Sequence, residues 1–101
     1  MRKIVLLCAQ GMSTGMLMNK MRAAAAAQNY ECTIDAYAVS QAAKMAADAD
    51  CILIGPQVRY ELDNVKKILP NQKIAVIDMK DYGRLNGENV LNSAKKLMGD
   101  N

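Results

Sequence analysis

Apolar residues along this chain fall into four short runs, separated by longer stretches in which they recur every three or four positions. The runs Lys3 to Leu7, Glu31 to Ala38, Asp50 to Gly55 and Lys73 to Asp78 are bounded by turn-forming residues and read as strands. A first helix is expected from Ser13 or Thr14. It carries Met16, Leu17, Met21 and Ala24 at helical spacing and continues through Ala23 to Ala27, alanine being the best helix former. A second is expected after Ser40, a good N-cap, as far as Ala47, and a third after Pro56, with Val58, Leu62, Val65 and Leu69 on one face. Pro70-Asn71 ends the third. The last helix, capped near Asn86, turns Val90, Leu91, Ala94, Leu97 and Met98 inward and leaves Lys95 and Lys96 near its C-terminus, where cations suit the helix dipole.

Strand and helix alternating four times predict an α/β fold, one domain over residues 1–101, with an open parallel sheet carrying helices on both faces. Strands one, three and four are almost continuously apolar, as buried strands are. The second alternates Cys32, Ile34 and Ala36 with Thr33, Asp35 and Tyr37, as an edge strand does. The expected order is therefore 2-1-3-4. In such sheets ligands bind at the carboxyl ends of the strands where the order reverses, here between strands one and three. The loop after Leu7 and the segment Gly55 to Tyr60 both fall there.

Composition narrows the chemistry. A net charge of +3 in 101 residues is too small to imply a nucleic-acid or membrane surface. Histidine is absent, which excludes a cysteine–histidine hydrolase, a histidine-ligated metal and a phosphohistidine carrier. The three cysteines, at positions 8, 32 and 51, have no metal-binding spacing, and their odd number suits a reducing compartment. Met1-Arg2-Lys3 and the following apolar residues resemble an export signal, but only Ile4 to Leu7 precede Cys8, against the roughly 7 to 15 apolar residues an export segment needs. No later stretch approaches the roughly 20 that span a bilayer. A cytoplasmic protein without cofactor or metal is expected.

The segment from Cys8 to Met16, C-A-Q-G-M-S-T-G-M, holds no charged side chain. It leads from a strand into a helix, and Gly11 and Gly15 keep it supple, so that backbone N–H groups turn inward beside the positive end of the helix. Such a loop binds an anion without cationic side chains. Cys8 opens it, and the same field favours the nucleophilic thiolate. A phosphoryl group on that sulfur would lie among the amides, with the hydroxyls of Ser13 and Thr14 as further donors. The plain alternative makes Cys8 a small buried hydrophobe before a tight turn. For Cys32 and Cys51, set among apolar residues of strands, the plain reading is the preferred one.

Other chemistries are missing a part. The nucleotide loop G-x-x-x-x-G-K is absent, and Lys20 is too far along the first helix to replace its lysine. A low-molecular-weight tyrosine phosphatase shares the strand, cysteine loop and helix, but places an arginine six residues after the cysteine. Thr14 stands there instead. Without that guanidinium, and without an Asp-Pro loop to supply an acid, hydrolysis is expected to be poor. A phosphoryl relay remains, with a phosphatase or arsenate-reductase-like enzyme second and an anion-binding regulatory module third.

The cysteine loop, I-L-I-G-P-Q-V-R-Y (residues 52–60) and I-L-P-N-Q-K-I-A-V-I-D (residues 68–78) resemble the enzyme IIB component of the phosphoenolpyruvate-dependent sugar phosphotransferase system, lactose, cellobiose and chitobiose class. The resemblance covers nearly the whole chain. It implies a four-stranded parallel sheet similar to the low-molecular-weight phosphatases. Cys8 would accept a phosphoryl group from a phosphohistidine of the IIA component and pass it to a sugar bound by the membrane IIC component, with Ala9, Gln10, Gly11, Met12, Ser13, Thr14 and Gly15 cradling the phosphate. By resemblance alone the sugar is a β-linked disaccharide such as cellobiose, chitobiose or lactose. A carrier that docks on two partners needs no oligomer, so a monomer is expected.

In the second loop Pro56 suits a first helical turn, and Gln57 and Arg59 are candidate contacts for phosphate or partner, with Arg59 more simply read as snorkelling on an exposed face. Tyr60 and Tyr82 either rim the site or cover apolar surface. Met12 and Met16 flank the loop, either as a flexible apolar rim for two partners in turn or as packing residues.

Overall fold

The computed structural model describes residues 1–9 and 12–100 and, within them, not the side chains of Met12 and Ser13. Strands β1 (Arg2–Cys8), β2 (Cys32–Ala38), β3 (Cys51–Ile54) and β4 (Lys73–Val76) form one parallel sheet in the order β2-β1-β3-β4, as the apolar pattern predicts. Register pairs Ile4 with Ile34 on one side and with Cys51 on the other, so β1 is hydrogen-bonded along both edges. β4 closes the far edge. Its residues Ile74 to Val76 are only partly buried, which shows that an apolar run marks covered faces rather than a central position.

The pleat sends alternate residues of the inner strands to two cores. Ile4, Leu6, Cys51 and Leu53 pack against α1 (Met12–Ala27), through Leu17, Met21 and Ala25, and against α5 (Gly87–Met98), through Val90, Leu91, Ala94 and Met98. Val5, Leu7, Ile52 and Ile54 face the opposite way. They meet Ala42 of α2 (Ala42–Met45), with Ala46 and Ala49 beyond it, and Val58, Val65 and Leu69 around α3 (Leu62–Ile68).

Three local details depart from the sequence pattern. Ser40 caps nothing: it lies inside the 3-10 turn Val39–Gln41, where the Gln41 side chain accepts from the Ala38 N–H at 3.4 Å. The segment after Pro56 is first a 3-10 turn to Glu61, interrupted at Val58 (φ −118°, ψ 28°), and becomes α-helical only at Leu62. The inward face of Val58, Leu62, Val65 and Leu69 survives that break. Finally, a short helix α4 (Met79–Gly83) stands where no helix is expected. Asp78 caps it, its carboxylate accepting from the N–H groups of Lys80 and Asp81 at 2.9 and 3.2 Å.

The end of the sheet remote from the cysteine loop is tied to the C-terminal segment. The Arg2 guanidinium donates two 2.7 Å hydrogen bonds to the Asp100 carboxylate, which also accepts from the Tyr30 hydroxyl at 2.6 Å. These donors, Arg2 first, hold the Asp100 carboxyl down from 3.8 to about 2. The folded state therefore binds this proton less readily than the unfolded chain. The stabilisation is present above pH 3.8 and is lost as the pH falls toward 2. Melting temperature measured across that window is expected to fall more steeply for the parent protein than for Asp100→Asn, and equal slopes would remove the role assigned to this pair.

Candidate active site

β1 runs out at Cys8, in the middle of the sheet, and the chain turns into α1 four residues later. Two neighbours fix where the sulfur lies. On the β2 side it is 3.8 Å from the Tyr37 carbonyl oxygen, a weak contact for a thiol. On the β3 side the Gly55 N–H donates to the Leu7 carbonyl at 2.8 Å, bringing the second loop so close that a Cβ at Gly55 would stand 3.8 Å from Cys8 Cβ. The structure thus brings Cys8 and the Gly55-Pro56-Gln57 corner together, where the strand order reverses.

Only 9% of Cys8 is exposed, but the residue is not sealed in. With Gly15, Met18, Ala36, Tyr37, Ala38 and Gln41 it lines an open hollow of about 380 Å³. None of these lining residues carries a charged side chain. The first turn of α1, Met12, Ser13 and Thr14, contains no acidic residue either, so no carboxylate there offsets the dipole of this long helix, whose Gly15 borders the hollow. The leading N–H groups of a helix have no acceptor within it.

Of the expected cradle, Ala9 is exposed. Gln10 and Gly11, and the side chains of Met12 and Ser13, lie outside the described residues. Gly15 is partly buried, with no heavy atom within 4 Å of where its Cβ would stand, so packing does not demand glycine there. Thr14 differs from expectation. Its side chain is buried, and its hydroxyl lies 2.8 Å from the hydroxyl of Tyr82 on α4, either of which can be the donor. Its main-chain N–H belongs to the first turn of α1.

The second loop separates into parts. Pro56 is buried at the head of its turn, Gln57 is exposed, and the exposed Arg59 folds back to donate to the Pro56 carbonyl at 2.9 Å. Tyr60 is turned out to solvent, whereas Tyr82 is buried. Pro56, Gln57, Arg59, Met79, Tyr82 and Gly83 surround a second hollow of about 200 Å³. Met16 is half exposed, not packed inward, and Met79, which the sequence pattern did not single out, is 62% exposed.

The other two thiols are unsuited to chemistry. Cys51 is fully enclosed in the core of α1 and α5, and burial, with Asp50 beside it, pushes its thiol up to about 12. Burial raises Cys32 as well.

The family model described as "PTS system, Lactose/Cellobiose specific IIB subunit" matches residues 3–93. The oligo-beta-mannoside-specific EIIB component of Bacillus subtilis (strain 168) is 36% identical over 100 residues, covering 97% of each chain. The galactose-specific EIIB component of Lactococcus lactis subsp. cremoris (strain MG1363) is 37% identical over 102 residues, covering 94% of each. Among solved structures, the cellobiose-specific IIB component of Borrelia burgdorferi superposes with a TM-score of 0.82 at 32% identity, over 98% of this chain and 93% of that one. The strand order, the cysteine at the reversal point and this likeness over nearly the full length agree: the chain belongs to the lactose/cellobiose-specific IIB subunits of the sugar phosphotransferase system, and is a phosphotransferase.

Proposed function

We propose that Cys8 is the phosphoryl-carrying residue of a sugar-uptake relay. The Cys8 thiolate attacks the phosphorus of a phosphohistidine on a IIA protein. The sulfur–phosphorus bond forms as the nitrogen–phosphorus bond breaks, and the imidazole keeps the electron pair. A sugar hydroxyl held by a membrane IIC component then attacks the same phosphorus; the thiolate leaves and the hydroxyl proton goes to solvent or a base on the partner.

The observation that carries this reading is the open, uncharged hollow at Cys8, beside the start of a 16-residue helix with no acid in its first turn. A dianion gains there from main-chain dipoles and meets no like charge. No guanidinium comes with the loop, since position 14 is threonine, so a group on the sulfur is poorly activated toward water and persists until an acceptor arrives. Among the described residues no helix is long and apolar enough to cross a membrane, which fits a cytoplasmic domain that meets its membrane partner by docking. Relatives 36% and 37% identical are named for different sugars, which supports a division of labour in which IIC holds the sugar, here taken to be a β-linked disaccharide, and this domain presents the phosphoryl group.

Incubation with phosphoenolpyruvate, the general phosphotransferase proteins and a IIA protein is expected to raise the intact mass by one phosphoryl group. An aryl phosphate should be turned over slowly or not at all. Fast, sustained aryl phosphate hydrolysis would replace the relay with a phosphatase.

A further inference from the structure

Thr14 is buried at 2% exposure, and its hydroxyl meets Oη of Tyr82, also buried, at 2.8 Å. The two residues are 68 positions apart and come from different elements, the first turn of α1 and the middle of α4. Neither end is loose. The Tyr82 ring sits in the core shared by Leu17, Met21 and Val90. Its helix is capped by Asp78, and the Asp81 carbonyl accepts from the Asn86 N–H at 2.9 Å, tying α4 to the start of α5. Tyr82 also lines the hollow beside Pro56 and Gln57, in the loop whose Gly55 N–H is bonded to the Leu7 carbonyl next to Cys8.

We infer that Tyr82 is a positioning residue for phosphoryl transfer, acting through Thr14; this rests on the Cys8 relay. The first turn of α1 carries no acidic residue, which keeps the field positive for a phosphoryl group, and the one described side-chain bond from that turn is the Thr14 hydroxyl to Tyr82. The hydroxyl pair fixes that turn from outside, on the α4 and α5 side. It thereby sets where the leading N–H groups of α1 point relative to Cys8. Orientation of this kind acts on the rate of the chemical step, because donors displaced by a fraction of an ångström no longer match the transferring oxygens. A bond that merely stabilised the fold would alter the melting temperature and leave turnover per folded molecule unchanged.

Tyr82→Phe keeps the ring and removes the hydroxyl, and Thr14→Val removes the same bond from its other end. With phosphorylated IIA as donor, each variant is expected to lose about ten- to a hundredfold in the single-turnover rate constant, while the donor concentration for half-maximal rate stays near that of the parent. The double variant should be no slower than the slower single one, since both changes remove one bond. Folded variants that transfer at the parent rate, or losses that multiply in the double variant, would overturn the positioning role while leaving the relay standing. A parent protein that takes no phosphoryl group would overturn both.

Discussion

Replacing Cys8 with serine is expected to leave a folded protein that no longer accepts a phosphoryl group. The substitution exchanges one atom at a residue with 9% exposure, and among the described residues the thiol contacts only the Tyr37 carbonyl, at 3.8 Å, a weak interaction whose loss costs little. A change of about 1 kcal/mol in stability is the scale to expect for one hydrogen bond altered at a half-sealed site. That corresponds to roughly 4–8 °C in melting temperature for a domain of this size. The effect on chemistry is far larger. A serine hydroxyl remains protonated at neutral pH, no histidine exists in the chain to act as its base, and the hollow's lining offers no carboxylate in its place. Transfer should fall by on the order of 10⁴ or more, as when the nucleophile of a concerted catalytic group is removed. Single-turnover transfer from phosphorylated IIA measures it; a Cys8→Ser protein within tenfold of the parent would require another nucleophile.

The second large effect lies away from the sulfur. At Gly87, the first residue of α5, a Cβ would stand 2.4 Å from the Lys20 carbonyl carbon, 2.6 Å from Lys20 Cβ and 2.6 Å from the Met21 nitrogen. Two of these are main-chain atoms inside α1, so no side-chain rotation relieves the contact. Gly87→Ala must push α5 and α1 apart at a crossing whose core includes Leu17, Met21, Val90 and Leu91. Overpacking of this kind costs about 1–3 kcal/mol, and more where backbone must move. A fall in melting temperature of about 10 °C is the expected result, read by thermal unfolding. The displacement also reaches the site, because α4 hangs from the start of α5 through the Asn86 to Asp81 hydrogen bond. A variant that melts with the parent would mean that the helices separate at little cost.

Both effects rest on features of very different visibility in the sequence. The sheet order is legible because β2 alternates while β1 and β3 do not, and a parallel sheet buried on two faces writes that difference directly into residue types. Cys8 is legible because the strand-to-helix loop after it contains glycines and hydroxyls and no charge. α4 is not. Within its five residues only Tyr82 is buried, so there is no repeat for a helical period to reveal, and the Asp78 cap is a short local signal inside a stretch that reads as the end of a strand. Gly87 is invisible for a related reason: its value lies in α1 main-chain atoms more than sixty positions earlier. The same holds for Thr14. Its residue type suggests a phosphate donor, and only the folded chain reveals that its hydroxyl meets that of Tyr82. Met16 falls on the helical spacing of the core yet is half exposed, because the apolar stripe of α1 centres on Leu17, Met21 and Ala25.

The account depends on the phosphoryl group residing on one sulfur. Protein phosphorylated from phosphoenolpyruvate through IIA, digested under conditions that preserve sulfur–phosphorus bonds and sequenced by tandem mass spectrometry, locates the group directly. The account predicts the added mass on the peptide containing Cys8, on the cysteine itself, with Cys32 and Cys51 unmodified. A phosphoryl group on Ser13, Thr14, either of the other cysteines or any other residue would contradict it.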